Sequence, residues 1–290
     1  MYVQGGCTMQ KSIKRYFPIF VLPTLIAFII AFLYPFIMGI YLSFTEFTTV
    51  KDATWVGISN YKKIFLDQNF INALVFTVKF TIVSVVTINV FGFLMAYALT
   101  RGIKGTNLFR TVFFMPNLIG GIVLGYIWQL LLNGILAKFG VTLSFDAKYG
   151  FWGLVILMNW QLIGYMMIIY IAGLQNVSPD LIEAAKIDGC SYYGIFFRII
   201  LPLMAPSLIT GGIFSFMWRW DDFMSALLYI NDAAMYPVAL ALKLFCDPGS
   251  SSDYGAMFAM ATLSVVPIVL IFIFFQKYLA DGIATSGLKG

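Results

Sequence analysis

The residues of this chain whose types and spacing could do chemistry fall in two stretches. One is Trp218-Arg219-Trp220-Asp221-Asp222, set inside a long apolar run. The other is Ser178 to Pro202, which carries Asp180, Glu183, Lys186 and Asp188 between two apolar runs. Histidine is absent, which removes Ser-His-Asp triads, HExxH zinc sites and histidine proton relays. A paired-aspartate site needs acids on two facing elements, whereas Asp221 and Asp222 are adjacent. What remains is recognition. Arg219 and Asp222 are three apart, so on a helix they share a face and can neutralise each other. The other reading is a substrate path, with Trp218 or Trp220 as a stacking platform for a sugar ring. There the Arg219 fork could receive a carboxylate or phosphate bidentately. The two readings are compatible.

Both stretches need a membrane to hold them. The chain has 290 residues, 61% apolar and 11% charged, with a mean hydropathy of +0.89; a soluble domain is about a quarter charged. Apolar runs long enough to cross a bilayer cover about Phe17–Ser43, Phe70–Leu99, Thr111–Leu132, Phe151–Leu174, Leu203–Ile230 and Tyr254–Leu279. The first is too long for a cleaved leader and passes through Pro35 into a polar segment, so it reads as an uncleaved span. The expectation is an all-α polytopic membrane protein of six spans. Residues 1–16 form one terminus, 17–279 a single transmembrane domain, 175–202 a charged loop between spans four and five, and 280–290 a tail. Pro116 and the Gly120-Gly121 pair allow a kink and close helix approach in span three. Lys79, inside span two, is expected to snorkel to the interface.

Six spans put both termini on one side. Their side holds ten cations: Lys11, Lys14, Arg15, Arg101, Lys104, Arg110, Lys186, Arg198, Lys277 and Lys289. The opposite loops hold six: Lys51, Lys62, Lys63, Lys138, Lys148 and Lys243. The excess places the termini and the 175–202 loop in the cytoplasm. The net charge of +5 thus reads as orientation and not as nucleic-acid binding. Cys7 and Cys190 would face the cytoplasm and Cys246 the outside, so no disulfide framework is expected. Asn89, Gln129, Asn159 and Gln161 lie within spans; they suit interhelical hydrogen bonds, with substrate contact by Asn89 or Asn159 as the other reading.

Ser178-Pro179-Asp180 is a helix start, with a hydroxyl cap, proline at the first position and an acid facing the positive end of the dipole. Gly189 should end that helix, and a second runs through Tyr192, Tyr193, Phe196 and Ile199. Two short helices at a sharp angle suit gripping a partner, although composition alone fits an ordinary loop equally. The spacing is more specific. Glu183-Ala184-Ala185, three residues, Gly189, nine residues, Ile199, one residue, Leu201-Pro202 resembles the EAA loop of ATP-binding-cassette importer permeases.

That resemblance implies a cytoplasmic coupling helix seated in a cleft of a separate ATPase. The coupling residues would be Glu183, Ala184, Ala185, Asp188, Gly189, Ile199, Leu201 and Pro202. Trp220-Asp221-Asp222-Phe223 looks like the Trp-Asn-Asp-Phe element of sugar-type permeases. Asp221 stands where Asn is usual, and Ala226 where proline commonly follows, which would leave the span straighter. WVGISNY resembles the external loop after the first span of the same permeases. The family implied is that of bacterial carbohydrate importers of the maltose and glycerol-3-phosphate type, in the cytoplasmic membrane. It implies two ATP-binding subunits, a second permease, an external solute-binding protein and a sugar or oligosaccharide, including an acidic one. No phosphate-binding loop of the form GxxxxGK[ST] occurs, so ATP and Mg would be held by the partner, with no cofactor on this chain. The rival reading is an ion-coupled secondary transporter or channel, whose mark would be paired acids in repeated halves.

Overall fold

A computed structural model describes the backbone of residues 5–143, 147–230, 235–243 and 253–287, and the side chains of 16–143, 148–230, 235–243 and 253–278. The side chains of Cys7, Lys11, Lys14, Arg15 and Cys246, and all of Lys289, lie outside the described residues. The elements in chain order are α1 (Gly5–Phe28), a wide turn at Ile29–Leu33, α2 (Tyr34–Leu42), β1 (Thr45–Glu46), β2 (Thr54–Trp55), α3 (Ser59–Leu66) and α4 (Gln68–Leu99). There follow α5 (Thr106–Phe114), α6 (Gly121–Leu136), α7 (Ala147–Gln175), α8 (Pro179–Ile187), α9 (Tyr192–Ile195), α10 (Leu201–Leu203), α11 (Ala205–Trp220), α12 (Met224–Tyr229), α13 (Val238–Ala241) and α14 (Tyr254–Gly287). Five helices among the described residues are long and apolar enough to cross a membrane. A sixth crossing is made if Tyr192–Leu203 and Ala205–Trp220, which meet at 65°, count as one span. Apart from one two-stranded pairing, the regular elements of the described residues are helical, and the protein is a polytopic membrane protein of the all-α class.

The chain divides into two compact units, Met1–Ile64 with Phe245–Thr262, and Phe65–Leu244 with Leu263–Gly290. In the first, the polar loop after the first span folds into a tight cap. β1 and β2 pair antiparallel, Thr45 opposite Trp55. Asn60, fully buried, donates from Nδ2 to the carbonyls of Ser43 and Thr45 at 2.9 and 2.8 Å. The start of α14 reaches this point through Gly255, where a Cβ would lie 2.3 Å from the Thr45 carbonyl. Only glycine permits that approach.

The second unit is built around α7. On α4 the buried face runs Ala73, Thr77, Thr81, Ser84, Ile88, Gly92, Ala96, a stripe of mostly small residues about four apart that lets a neighbouring backbone come close. Phe80 meets Phe151, Gly92 faces Met166, and Phe93 meets Tyr170. The partner numbers rise together, so α4 and α7 run parallel. Glycines on α7 and α11 continue the close packing. A Cβ on Gly164 would lie 1.8 Å from the Phe113 carbonyl, and one on Gly211 would lie 2.4 Å from the Tyr170 hydroxyl.

Two spans differ from the sequence expectation. The third does not run unbroken over 111–132: α5 ends at Phe114, a tight turn covers Met115–Leu118, and α6 begins only at Gly121. Pro116 and the two glycines break the helix here instead of kinking it. The fifth, expected over 203–230, is interrupted after Trp220 and restarts as α12 at Met224. The lack of proline at Ala226 therefore leaves the span no straighter. Asp222 decides the matter, because its Oδ1 accepts from the Ser225 N–H at 3.1 Å and caps the new helix instead of continuing the old one. At the other end α14 continues through Gly287, so most of the 280–290 tail is helical.

Candidate functional site

The membrane-embedded cluster centres on Arg219. Its side chain is 8% exposed, and Nη1 donates to Asp222 Oδ2 at 2.9 Å; Nη1 also contacts Met158 Sδ on α7. A charge in a bilayer interior needs such a partner. Arg219 Nε and Asn159 Oδ1 are buried with no hydrogen-bond partner among the described residues. Both atoms are closed off from solvent.

The two tryptophans divide sharply. Trp220 is buried, stacks on Phe216 and donates from Nε1 to the Ser264 carbonyl at 2.8 Å, so it is a packing residue. Trp218 is part exposed and meets Tyr165 edge-on and Phe214 face-on. Asp221 is exposed at the break. Trp218 and Asp221 can thus be reached, whereas Trp220 and Asp222 are occupied.

Asn89 is occupied as well. Its Nδ2 donates to Ser215 Oγ at 2.7 Å and to the Val85 carbonyl, and its Oδ1 accepts from the Tyr170 hydroxyl. The amide ties α4, α7 and α11 together, which is the interhelical reading and not the substrate one. Tyr170 has no polar periodicity around it, so its part in this junction had no sequence signal. Gln129 likewise donates to the Leu228 carbonyl at 3.1 Å. Lys79 is exposed on the outside of α4, as snorkelling requires.

The second site is the 175–202 turn. Ser178 Oγ accepts from the Asp180 N–H, with Pro179 at the first helical position. At the far end Cys190 N–H bonds the Ala185 carbonyl at 2.9 Å and Gly189 N–H bonds that of Lys186 at 3.1 Å. This is a Schellman closure, and it requires the left-handed residue supplied by Gly189 at φ +77°. Ser191 then caps α9 through the Gly194 N–H. Pro206, early in α11, lacks the N–H that would continue the preceding helix, and the 65° bend falls just before it, at Met204.

The predicted coupling residues do not share one face. Glu183, Ala184, Asp188, Gly189 and Pro202 are exposed. Ala185 is buried in the core with Ile195, Ile200 and Met204, so its small size serves packing within the chain. Ile199 and Leu201 are half-buried supports. Sequence reasoning did not single out Ile187, which is 80% exposed beside Tyr192 and Tyr193 at 79% each. Large apolar groups left bare at a capped turn mark a contact surface.

Long apolar helices packed through small residues, a buried ion pair beside a reachable tryptophan, and a rigid charged turn at one end define a polytopic membrane transport subunit. The chain belongs to the family described as binding-protein-dependent transport system inner membrane component, which matches residues 88–285. It is similar to the probable starch degradation products transport system permease protein AmyD of Thermoanaerobacterium thermosulfurigenes, at 41% identity over 65% of this chain and 68% of the other. It is also similar to the polygalacturonan/rhamnogalacturonan transport system permease protein YtcP of Bacillus subtilis, at 27% identity over 96% of this chain and 99% of the other. In fold it matches a chain of the crystal structure of a bacterial ABC transporter involved in the import of the acidic polysaccharide alginate. The TM-score is 0.74 at 20% identity, covering 97% of this chain and 100% of that one.

Proposed function

We propose that this chain is the permease of an ATP-driven importer that takes a sugar or oligosaccharide from an external solute-binding protein. The substrate class is supported by the names of AmyD and YtcP, a probable starch degradation products permease and a polygalacturonan/rhamnogalacturonan permease. The α8–α9 turn is the single observation that carries the mechanism. A doubly capped helix pair leaves Glu183, Ile187, Tyr192 and Tyr193 bare, and α9 leads through the bend at Met204 into α11. A push on α8 from an ATPase subunit therefore reaches Arg219 and Trp218 along one continuous stretch of chain. ATP and Mg belong to that partner, and a second permease completes the pathway.

Substrate contact is assigned to Trp218, as a stacking platform, and to the Asp221 carboxylate as a hydroxyl partner, the two groups of the cluster that are exposed. With Nη1 held by Asp222, Arg219 offers an acidic sugar little of its fork.

The test is co-purification of the tagged chain from its native membranes, with vanadate-sensitive ATPase assayed on the eluate. Wild type should bring down an ATPase and a second permease. Gly189→Arg should lose the ATPase, because φ +77° disfavours any side chain and open space around Gly189 lets the arginine project into the contact. If the chain purifies alone, or Gly189→Arg keeps its ATPase, the coupling assignment is wrong.

A further inference from the structure

Behind the α8–α9 turn lies a cavity of about 550 Å³ that the coupling reading does not use. Its walls come from the last turns of α4 and α7 and from the inner sides of α8 and α9. Tyr97, Arg101, Leu174, Ile182 and Lys186 are among the lining residues, together with Tyr192, which is itself largely exposed and so borders both the cavity and the bare surface of the turn. Arg101 and Lys186 bring two positive charges to it. The Arg101 guanidinium is held over the Tyr97 ring, 4.4 Å from its centroid, and donates to the Tyr97 hydroxyl. Neither cation is paired with a carboxylate; the ion pairs among the described residues are Lys63–Asp253 and Arg219–Asp222.

The acids of α8 point elsewhere. Ile182 and Lys186, four apart, line the cavity, whereas Glu183 and Ile187 lie 100° further round the helix and Asp180 beyond them. The helix thus has an outer face with the acids and an inner face with a cation. Arg101 follows the last residue of α4, Leu99, by two positions, which places it where that span leaves the membrane. Two cations, two tyrosines and apolar walls at that level match one chemistry, a phosphate attached to an acyl-bearing body.

We propose that this cavity binds the phosphate of an anionic phospholipid from the leaflet on the α8 side, with Arg101 and Lys186 as its cations. The acyl part lies along Leu174 and Ile182. Such a lipid backs the helix whose outer face is assigned to the ATPase, so its presence fixes the position of α8. That consequence rests on the coupling reading; the binding itself does not.

The experiment is native mass spectrometry of the full chain with its co-purifying partners, from mixed micelles of phosphatidylcholine and phosphatidylglycerol. The wild type should retain phosphatidylglycerol in preference. Arg101→Gln or Lys186→Gln should lower that retention about fivefold each, and the pair roughly thirtyfold, as expected for loss of one or two surface cations. Lys79→Gln, on the lipid side of α4, should leave it unchanged. Arg101→Lys with Lys186→Arg keeps both charges and should keep the lipid, which separates loss of charge from loss of fold. Equal retention by wild type and the double glutamine variant would overturn the proposal. So would displacement of the lipid by inorganic phosphate in solution, which would put a free anion in the cavity. Retention is read whether or not an ATPase is present, so failure of the coupling reading and failure of this one are distinguishable.

Discussion

Arg219 and Asp222 show how much one residue spacing can reveal. The interval of three put them on one helical face, and the pair forms at 2.9 Å with both side chains nearly buried. The sequence could not show which oxygen does what, because Asp222 Oδ1 is committed to the Ser225 N–H beyond the helix end. Asp222→Asn should keep that cap and lose the charge. A buried arginine without its counter-charge costs about 3–5 kcal/mol, so the melting temperature of the purified chain should fall well below wild type. Adding Arg219→Met to Asp222→Asn removes the stranded cation and should recover most of the loss. If the single and double variants melt alike, the ion pair is not what holds this level of the bundle. Asn89 was legible as an interhelical amide, but its partners were not. Tyr170 and Ser215 stand 81 and 126 positions away, and nothing local announces a bond across that distance.

At the scale of elements, the sequence located the long apolar runs but not where they break: the third crossing covers Gly121–Phe139 and the fifth is a bent pair, Tyr192–Leu203 with Ala205–Trp220. Proline and glycine mark weak points in a helix, and whether the weak point bends or opens depends on what packs beside it. Around Pro116 the chain opened, and the reason lies on α7. Gly164 has no side chain, and the backbone at Phe113 presses into that gap, with its carbonyl 1.8 Å from where a Cβ would stand. The end of α5 is thus held against α7 by backbone contact. Gly164→Ala should cost the upper end of the roughly 1–3 kcal/mol typical of overpacked sites, read as loss of folded protein in thermal melts. Gly134→Ala, within α6 and with nothing within 4 Å, should instead gain about 0.5–1 kcal/mol. Equal effects of the two substitutions would mean that α5 moves freely against α7. The α8 start and stop were legible because capping is local chemistry. The inward turn of Ala185 was not, since the motif spacing alone does not say which side of α8 meets the chain's own core.

For the whole molecule the decisive relation is that α4 and α7 are parallel. Their C-terminal ends then lie at one end of the bundle, and that end carries Arg101, Lys186 and Arg198. The short-loop charge rule, with ten cations expected on this side from the sequence against six on the other, supports the proposal that this end faces the cytoplasm, as the proposed ATPase contact would require. Cys190, free and exposed beside Gly189, is a reporter for the claim. In a Cys7→Ser, Cys246→Ser background, an impermeant maleimide should label inverted membrane vesicles and spare right-side-out ones. Because the outer face of α8 is assigned to the ATPase, stripping peripheral proteins from the inverted vesicles should raise the labelling further. Labelling from the outside would reverse the whole topology. The ATPase contact would then have no ATP to draw on, so orientation and coupling stand or fall on the same thiol.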